Sequence, residues 1–257
     1  MLKENRGVQK NILRVEEDNK TEMSDLVARE KELSIFVNKK KIISLYCSPG
    51  DYKYLGIGFL FTAGILSGKD DIVSIETKKD AVYIMTKKNI FSSGRIKRIS
   101  SMIEVQHQFP KMSTIKTSNT KNFKLNPSIV YRMIEKIQEK AAFFKLSGGV
   151  HSCALADKNG KILLFSEDIS RYNTIDRVLG QALLTDIDTS NKILLTSCRI
   201  TSGIIKKVIF SNIQILISRA AVTDCAIKIA DVNNITLIGF TRGKRMNIYA
   251  HSRRILI

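Results

Sequence analysis

Three short runs near the carboxyl end constrain the fold most. Residues 193–197, 213–218 and 235–240 are largely aliphatic, and two helix-patterned segments, 202–211 and 223–232, separate them. A strand that is apolar along its length is covered on both faces, and strands alternating with helices build an α/β sheet. Upstream, 150–156 and 161–166 form a strand pair around the turn former Asp157-Lys158-Asn159-Gly160, and 173–184 is helical by pattern. The expected larger, C-terminal domain is therefore α/β, a mixed sheet flanked by helices. Such sheets bind ligands beyond the carboxyl ends of their strands.

The first half reads differently. Runs 33–37 and 42–46 form one hairpin-like pair, 72–76 and 81–86 another, with an apolar helix at 55–66 between them. Ser48-Pro49-Gly50-Asp51 reads as that helix's start, Ser48 capping and Pro49 in the first turn. A small N-terminal α+β domain is expected over 30–105, preceded by a poorly ordered arm at 1–29. Residues 106–125 are polar, Ser/Thr-rich and aperiodic, the mark of a linker or mobile loop before the α/β domain at 126–257. Asn126-Pro127 supplies a cap and start for a helix running to Phe144.

Charge and cysteine usage narrow the partners. No apolar run approaches the roughly 20 residues of a membrane span, and the charged amino terminus has no secretory h-region, so a cytoplasmic protein with no membrane role is expected. Cys47, Cys153, Cys198 and Cys225 are too scattered for a disulfide framework. No Cys-x-x-Cys or His-x-x-x-His spacing occurs, so no metal site is expected, and a Walker-type loop is missing. The 42 Lys plus Arg against 24 Asp plus Glu give a net charge of +18, which admits a basic nucleic-acid-binding protein as an alternative. The basic residues form no tract or stripe, so this is the weaker reading.

Four polar clusters fall at the expected strand ends and turns: Ser147-Gly148-Gly149-Val150-His151, Glu167-Asp168-Ile169-Ser170-Arg171-Tyr172-Asn173, Ser197-Cys198-Arg199 and Phe240-Thr241-Arg242-Gly243-Lys244-Arg245. Taken together they describe one site. Gly148-Gly149 admits backbone amides to a ligand, and Arg171, Arg199, Arg242 and Arg245 suit phosphates in bidentate geometry. Each cluster alone has a plainer reading: a turn for Gly-Gly, ion-pair partners for Glu167 and Asp168, a structural role for His151, a solvated loop for Arg242 to Arg245.

In this order the clusters resemble the formate dehydrogenase accessory sulfurtransferase family, often called FdhD. Ser147-Gly148-Gly149-Val150-His151 resembles its Gly-Gly-x-His segment, and Glu167 to Asn173 its Glu-Asp-x-Gly-Arg-His-Asn motif. Ser197-Cys198-Arg199 resembles Ser-Gly-Arg, Ala221-Val222-Thr223 resembles Ala-Pro-Thr, and Cys47-Ser48-Pro49-Gly50-Asp51 resembles the start of its first helix. The resemblance runs from about Ala28 to the end. It implies a homodimer whose larger domain is similar to the cytidine deaminase-like fold without its zinc. It also implies sulfur transfer from a cysteine desulfurase to a molybdenum (or tungsten) bis(molybdopterin guanine dinucleotide) cofactor, bound as client, on its way to the formate dehydrogenase apoenzyme. The cofactor would meet Gly148, Gly149, His151, Asp168, Arg171, Arg199 and the turn Phe240, Thr241, Arg242, Gly243, Lys244 and Arg245.

The departures from the family pattern are specific. Its sulfur-carrying cysteines fall at Met102 and Val105, and neither side chain forms a persulfide. Ser170, Tyr172, Cys198 and Ala63 stand where the pattern has glycine, histidine, glycine and glutamate. The catalytic residue is therefore unassigned, and a noncatalytic cofactor-binding chaperone is the alternative. Cys198 is the candidate substitute, since Arg199 beside it would lower its pKa. Cys153 and Cys225 read as buried packing residues.

Overall fold

The computed structural model describes residues 6–87 and 123–256. Met102, Val105 and most of the expected linker lie outside the described residues. The segment expected to be a poorly ordered arm is instead an antiparallel ribbon, β1 (Gly7–Glu16) with β2 (Asn19–Ala28), in register from Gly7↔Ala28 to Glu16↔Asn19. Its root packs on the body, where a Cβ at Gly7 would lie 3.3 Å from the Phe143 ring. Its outer half is exposed on both faces, so no apolar alternation announced it in the sequence.

A four-stranded sheet follows, in order β4-β3-β6-β5, from β3 (Lys31–Val37), β4 (Lys40–Cys47), β5 (Ile72–Lys78) and β6 (Ala81–Thr86). Both hairpins are antiparallel and the central β3-β6 pair is parallel. Alternate residues Leu33, Ile35, Val37, Val82 and Ile84 face α1 (Tyr52–Thr62) and form one core with Leu55, Ile57 and Leu60. The helix starts later than expected. Its N-cap is Asp51, and Ser48 makes no cap; its hydroxyl accepts a bond from the amide of Ile169 at 3.1 Å.

The larger sheet has the order β12-β11-β10-β9-β7-β8. It is built from α2 (Pro127–Lys140), α3 (Ala142–Ser147), β7 (His151–Ala156), β8 (Ile162–Asp168), α4 (Arg171–Leu184), β9 (Ile193–Thr196), α5 (Ser202–Phe210), β10 (Ile215–Ser218), α6 (Asp224–Val232), β11 (Thr236–Arg242) and β12 (Arg245–Ala250). Strands β9, β10 and β11 are parallel; β7, β8 and β12 run against their neighbours. The mixed α/β architecture is as expected. The single helix expected to reach Phe144 is two, broken after Lys140, and β12 adds a strand after the 240–245 turn. Leu194, Leu216 and Leu237 point to α4, α5 and α6; Leu195, Ile217 and Ile238 point to α2. Each such buried aliphatic side chain contributes roughly 1.5–3 kcal/mol.

Helix α1 is apolar nearly all round because it is covered twice, by the small sheet and by α4. The two helices cross at backbone contact. A Cβ on Gly58 would lie 1.7 Å from the carbonyl oxygen of Asp176, and one on Gly180 would lie 2.1 Å from that of Tyr54. Two buried charge networks flank this crossing. Lys207 of α5 donates to both carboxylate oxygens of Asp176 at 2.8 and 2.9 Å and to Thr62 of α1 at 2.9 Å. Arg177 of α4 donates to Asp168 at 2.8 Å and to the carbonyls of Ser48 and Gly50.

Candidate functional site

The carboxyl ends of β9, β10 and β11 form one edge of the larger sheet, and the antiparallel β7-β8 pair adds the start of one strand and the end of the other, His151 opposite Asp168. Helices α4, α5 and α6 begin at the same edge with Ser170, Thr201 and Thr223 as N-caps. Ser170 and Thr201 make no side-chain cap bond, so the first-turn amides of two helices face this edge uncapped by them. Helix N-termini carry partial positive charge and attract anions.

Cationic side chains collect at the edge. Arg171 lies in the first turn of α4, its guanidinium 5.1 Å from the Tyr172 ring centre. Burial holds the His151 imidazole below its usual pKa, and the neighbouring charges of Arg171 and Arg199 push it further down. Arg199, Arg242, Lys244 and Arg245 are exposed. Among the described residues none of these cations forms an ion pair. Arg242 and Arg245 sit directly opposite one another in the β11-β12 register. Like charges placed so are destabilising unless an anion lies between them.

The connecting turn is irregular. Phe240 has φ 51° and its amide bonds to the Ala220 carbonyl at 2.9 Å, which ties β11 to the loop after β10. Thr241 is fully buried, and its hydroxyl has no partner. A buried hydroxyl left unbonded is costly, so this residue is a strained point behind the turn, out of reach of a ligand at the surface. Gly243 has φ 55°, a left-handed conformation that glycine adopts without strain.

Other expected site residues do different work. Asp168 is wholly buried and accepts from the Ser48 amide at 3.2 Å, the Ser170 amide at 2.9 Å, Asn173 at 3.0 Å and Arg177 at 2.8 Å. It is a joint between the small and large sheets, with no atom exposed to a ligand. Glu167 accepts from the amides of Phe143 and Phe144 and so holds the start of α3. Gly148 is the left-handed end of α3, and a Cβ at Gly149 would meet Ala28 of the ribbon at 2.8 Å. Gly149 is therefore a packing glycine.

Cys153 is buried as expected, while Cys198 and Cys225 depart from their expected settings. Cys198 is buried, and burial raises its pKa despite bonds from neighbouring hydroxyls and the charge of Arg171. Burial pushes the Cys47 thiol up to about 12, and Cys153 also stands well above the usual range. Cys225, expected to be buried, is exposed in the first turn of α6. Iodoacetamide on the native protein is expected to label Cys225 and leave the other three intact, read by peptide mass spectrometry. Labelling of Cys198 without unfolding would refute this placement. Among the described residues no cluster of three or more potential metal-ligating side chains occurs, and no helix is long and apolar enough to cross a membrane.

This edge gathers two helix starts without side-chain caps, and several cations without ion pairs among the described residues, at the strand ends of an α/β protein. A family profile described as the FdhD/NarQ family matches residues 28–256. The sulfur carrier protein FdhD of Saccharolobus solfataricus is 35% identical over 251 residues, covering 95% of this chain and 96% of that protein. That of Listeria monocytogenes is 32% identical over 253 residues, covering 95% and 97%. The fold matches the crystal structure of a protein named as a formate dehydrogenase accessory protein, from Desulfotalea psychrophila, with a TM-score of 0.80, 22% identity and coverage of 97% and 99%. The chain belongs to the FdhD/NarQ family.

Proposed function

We propose that this protein acts in the maturation of formate dehydrogenase, accepting sulfur from a cysteine desulfurase and serving the molybdenum (or tungsten) bis(molybdopterin guanine dinucleotide) cofactor as its client in the cytoplasm. The observation that carries this reading is the strand-end edge, in a chain whose relatives are sulfur carrier proteins across nearly its full length. The residues suit such a client. Arg199, Arg242, Lys244 and Arg245 meet phosphates, and the amides at the starts of α4 and α5 add donors. His151, held neutral, supplies a donor or acceptor for a guanine or pterin edge.

Sulfur acceptance requires a thiolate that attacks the terminal sulfur of the desulfurase persulfide, the desulfurase cysteine leaving as thiolate. The three buried thiols are poorly suited, and the chain has no Cys-x-x-Cys. That observation favours a second reading in which the protein binds the cofactor without transferring sulfur. Intact-mass spectrometry after incubation with a cysteine desulfurase and cysteine separates the two. A cyanide-labile adduct of one sulfur atom, mapped to Cys225, is the expected result for a carrier. With a Cys-x-x-Cys relative labelled in parallel, absence of any adduct would eliminate transfer and leave the binding role.

A further inference from the structure

The four-stranded sheet has one face that α1 leaves open. Leu33, Ile35, Val37, Val82 and Ile84 fill the core under that helix. Their neighbours Ser34, Phe36, Tyr83 and Met85 therefore point the other way, and none of them joins that core. The open face is aromatic at its centre. Phe36 and Tyr83 sit opposite one another on the two central strands, their ring centres 4.7 Å apart and their planes 18° from parallel. Tyr46 of β4, opposite Glu32 on the same face, is 62% exposed. Single surface aromatics are ordinary, but three on one uncovered face mark a surface that binds.

Beside the stacked pair lies a groove of about 690 Å³, within the roughly 300–1,000 Å³ of ligand sites. Its floor is small and hydroxylated: Ser34 and Ala81 are register partners, and the Ser34 hydroxyl lies 3.3 Å from that of Ser44. Its wall is the turn Lys78-Lys79-Asp80. Glu76 holds Lys78 at 2.7 Å and Lys31 lies 3.6 Å from Asp80, whereas Lys79 forms no ion pair among the described residues. Neither does Lys41, which sits opposite Phe36 on the β4 side. Proteins that hold single strands stack bases on aromatic side chains and follow the backbone with cations, and a duplex keeps its base faces hidden. We propose that this face binds single-stranded RNA, with bases stacked on Phe36, Tyr83 and Tyr46 and phosphates met by Lys41 and Lys79. The Ser34 hydroxyl and the exposed Asp80 carboxylate can bond a ribose 2′-hydroxyl, which selects RNA over DNA. The net charge of +18 draws any polyanion at long range; the aromatic face decides which one stays. No residue of the strand-end edge takes part.

Fluorescence anisotropy of the full chain with a short labelled oligouridine tests this. Wild type is expected to bind at low ionic strength, and binding should weaken as salt is added. Tyr83→Ala should weaken it at least about tenfold, the scale of one lost base–aromatic stack. Lys41→Ala with Lys79→Ala should weaken it at least about fivefold and flatten the slope of log affinity against log salt by about 0.7 per lysine. Both lysines are exposed, so this variant reads the face even if Tyr83→Ala fails to fold. Unchanged affinity in the lysine variant would overturn the proposal. So would no binding by wild type, which would leave the face to a protein occupant. Duplex RNA held as tightly as the single strand would reduce the interaction to net charge and reject the platform. DNA of matching sequence held as tightly would reject the ribose contacts, and RNA as the occupant with them. Arg242→Ala with Arg245→Ala removes the same amount of charge from the other site. That variant is expected to keep its RNA affinity while guanosine diphosphate binding falls; loss of RNA binding there would move the interaction to the strand-end edge and overturn its assignment to the small sheet.

Discussion

Arg177→Ala is expected to cost about 3–5 kcal/mol of stability, the scale for removing one partner of a buried ion pair. Arg177 is 2% exposed and Asp168 is fully buried. Its guanidinium binds the Asp168 carboxylate and the carbonyls of Ser48 and Gly50, so the truncation strands a charge and two acceptors at once. Set against a typical total of roughly 5–15 kcal/mol, this is a large fraction. Chemical denaturation at pH 7 measures it; a change below about 1 kcal/mol would mean the network is not the joint between the two sheets. The double variant Arg177→Ala with Asp168→Asn should lose less than the sum of the single changes, because no bare carboxylate remains buried.

The loss should also depend on pH. Burial raises the Asp168 pKa above its ordinary 3.8, while Arg177 is the largest influence pulling it back down. Removing Arg177 raises it further. An acid whose folded pKa lies above its unfolded one contributes stability that is full below the unfolded value and is lost as pH rises through the folded value. The deficit of Arg177→Ala relative to wild type is therefore expected to shrink as pH falls from 7 toward 5. A deficit that widened over that range would refute the assignment of the stranded charge.

How much of this was legible in the sequence depended on whether a residue's partners were near in the chain. Asn126 was read correctly as a cap because its side chain accepts from the Ser128 amide, two residues on. Ser48 has the same local signature, yet its hydroxyl serves Ile169, 121 residues away. The strands β9 and β10 were visible because burial on both faces leaves an aliphatic run. The ribbon was not, since strands wet on both faces have no such run to show. Nothing local in the sequence marks Arg177 and Lys207, and only the crossing of α1, α4 and α5 buries them. The glutamate and aspartate of the 167–173 cluster drew attention as part of a site, with an ion-pair role as the plainer reading, and Asp168 does pair with an arginine, Arg177 beyond the cluster. Their partners are backbone amides and Arg177, so what the motif records there is the assembly of the scaffold around the edge. Cys198 and Cys225 were exchanged for a similar reason: sequence showed Arg199 beside the one, but exposure decides reactivity and was set by packing.

The second large effect separates site from scaffold. Arg242→Ala with Arg245→Ala should weaken binding of guanosine diphosphate by more than about 100-fold, because each charge-assisted contact contributes roughly 1.5–3 kcal/mol and each 1.4 kcal/mol is tenfold in affinity. The same double change should leave stability unchanged or raise it by a few tenths of a kcal/mol, since the two guanidinium groups oppose one another across the turn. Both side chains are exposed and unpaired among the described residues, so no buried group is stranded by their loss. Calorimetric titration and thermal unfolding on the same samples give the two readings. Binding lost with stability kept identifies charges held against their own repulsion for the sake of an anion. Equal binding in the double variant would reject the edge as the phosphate site, whereas a joint fall in binding and stability would recast the two arginines as structural.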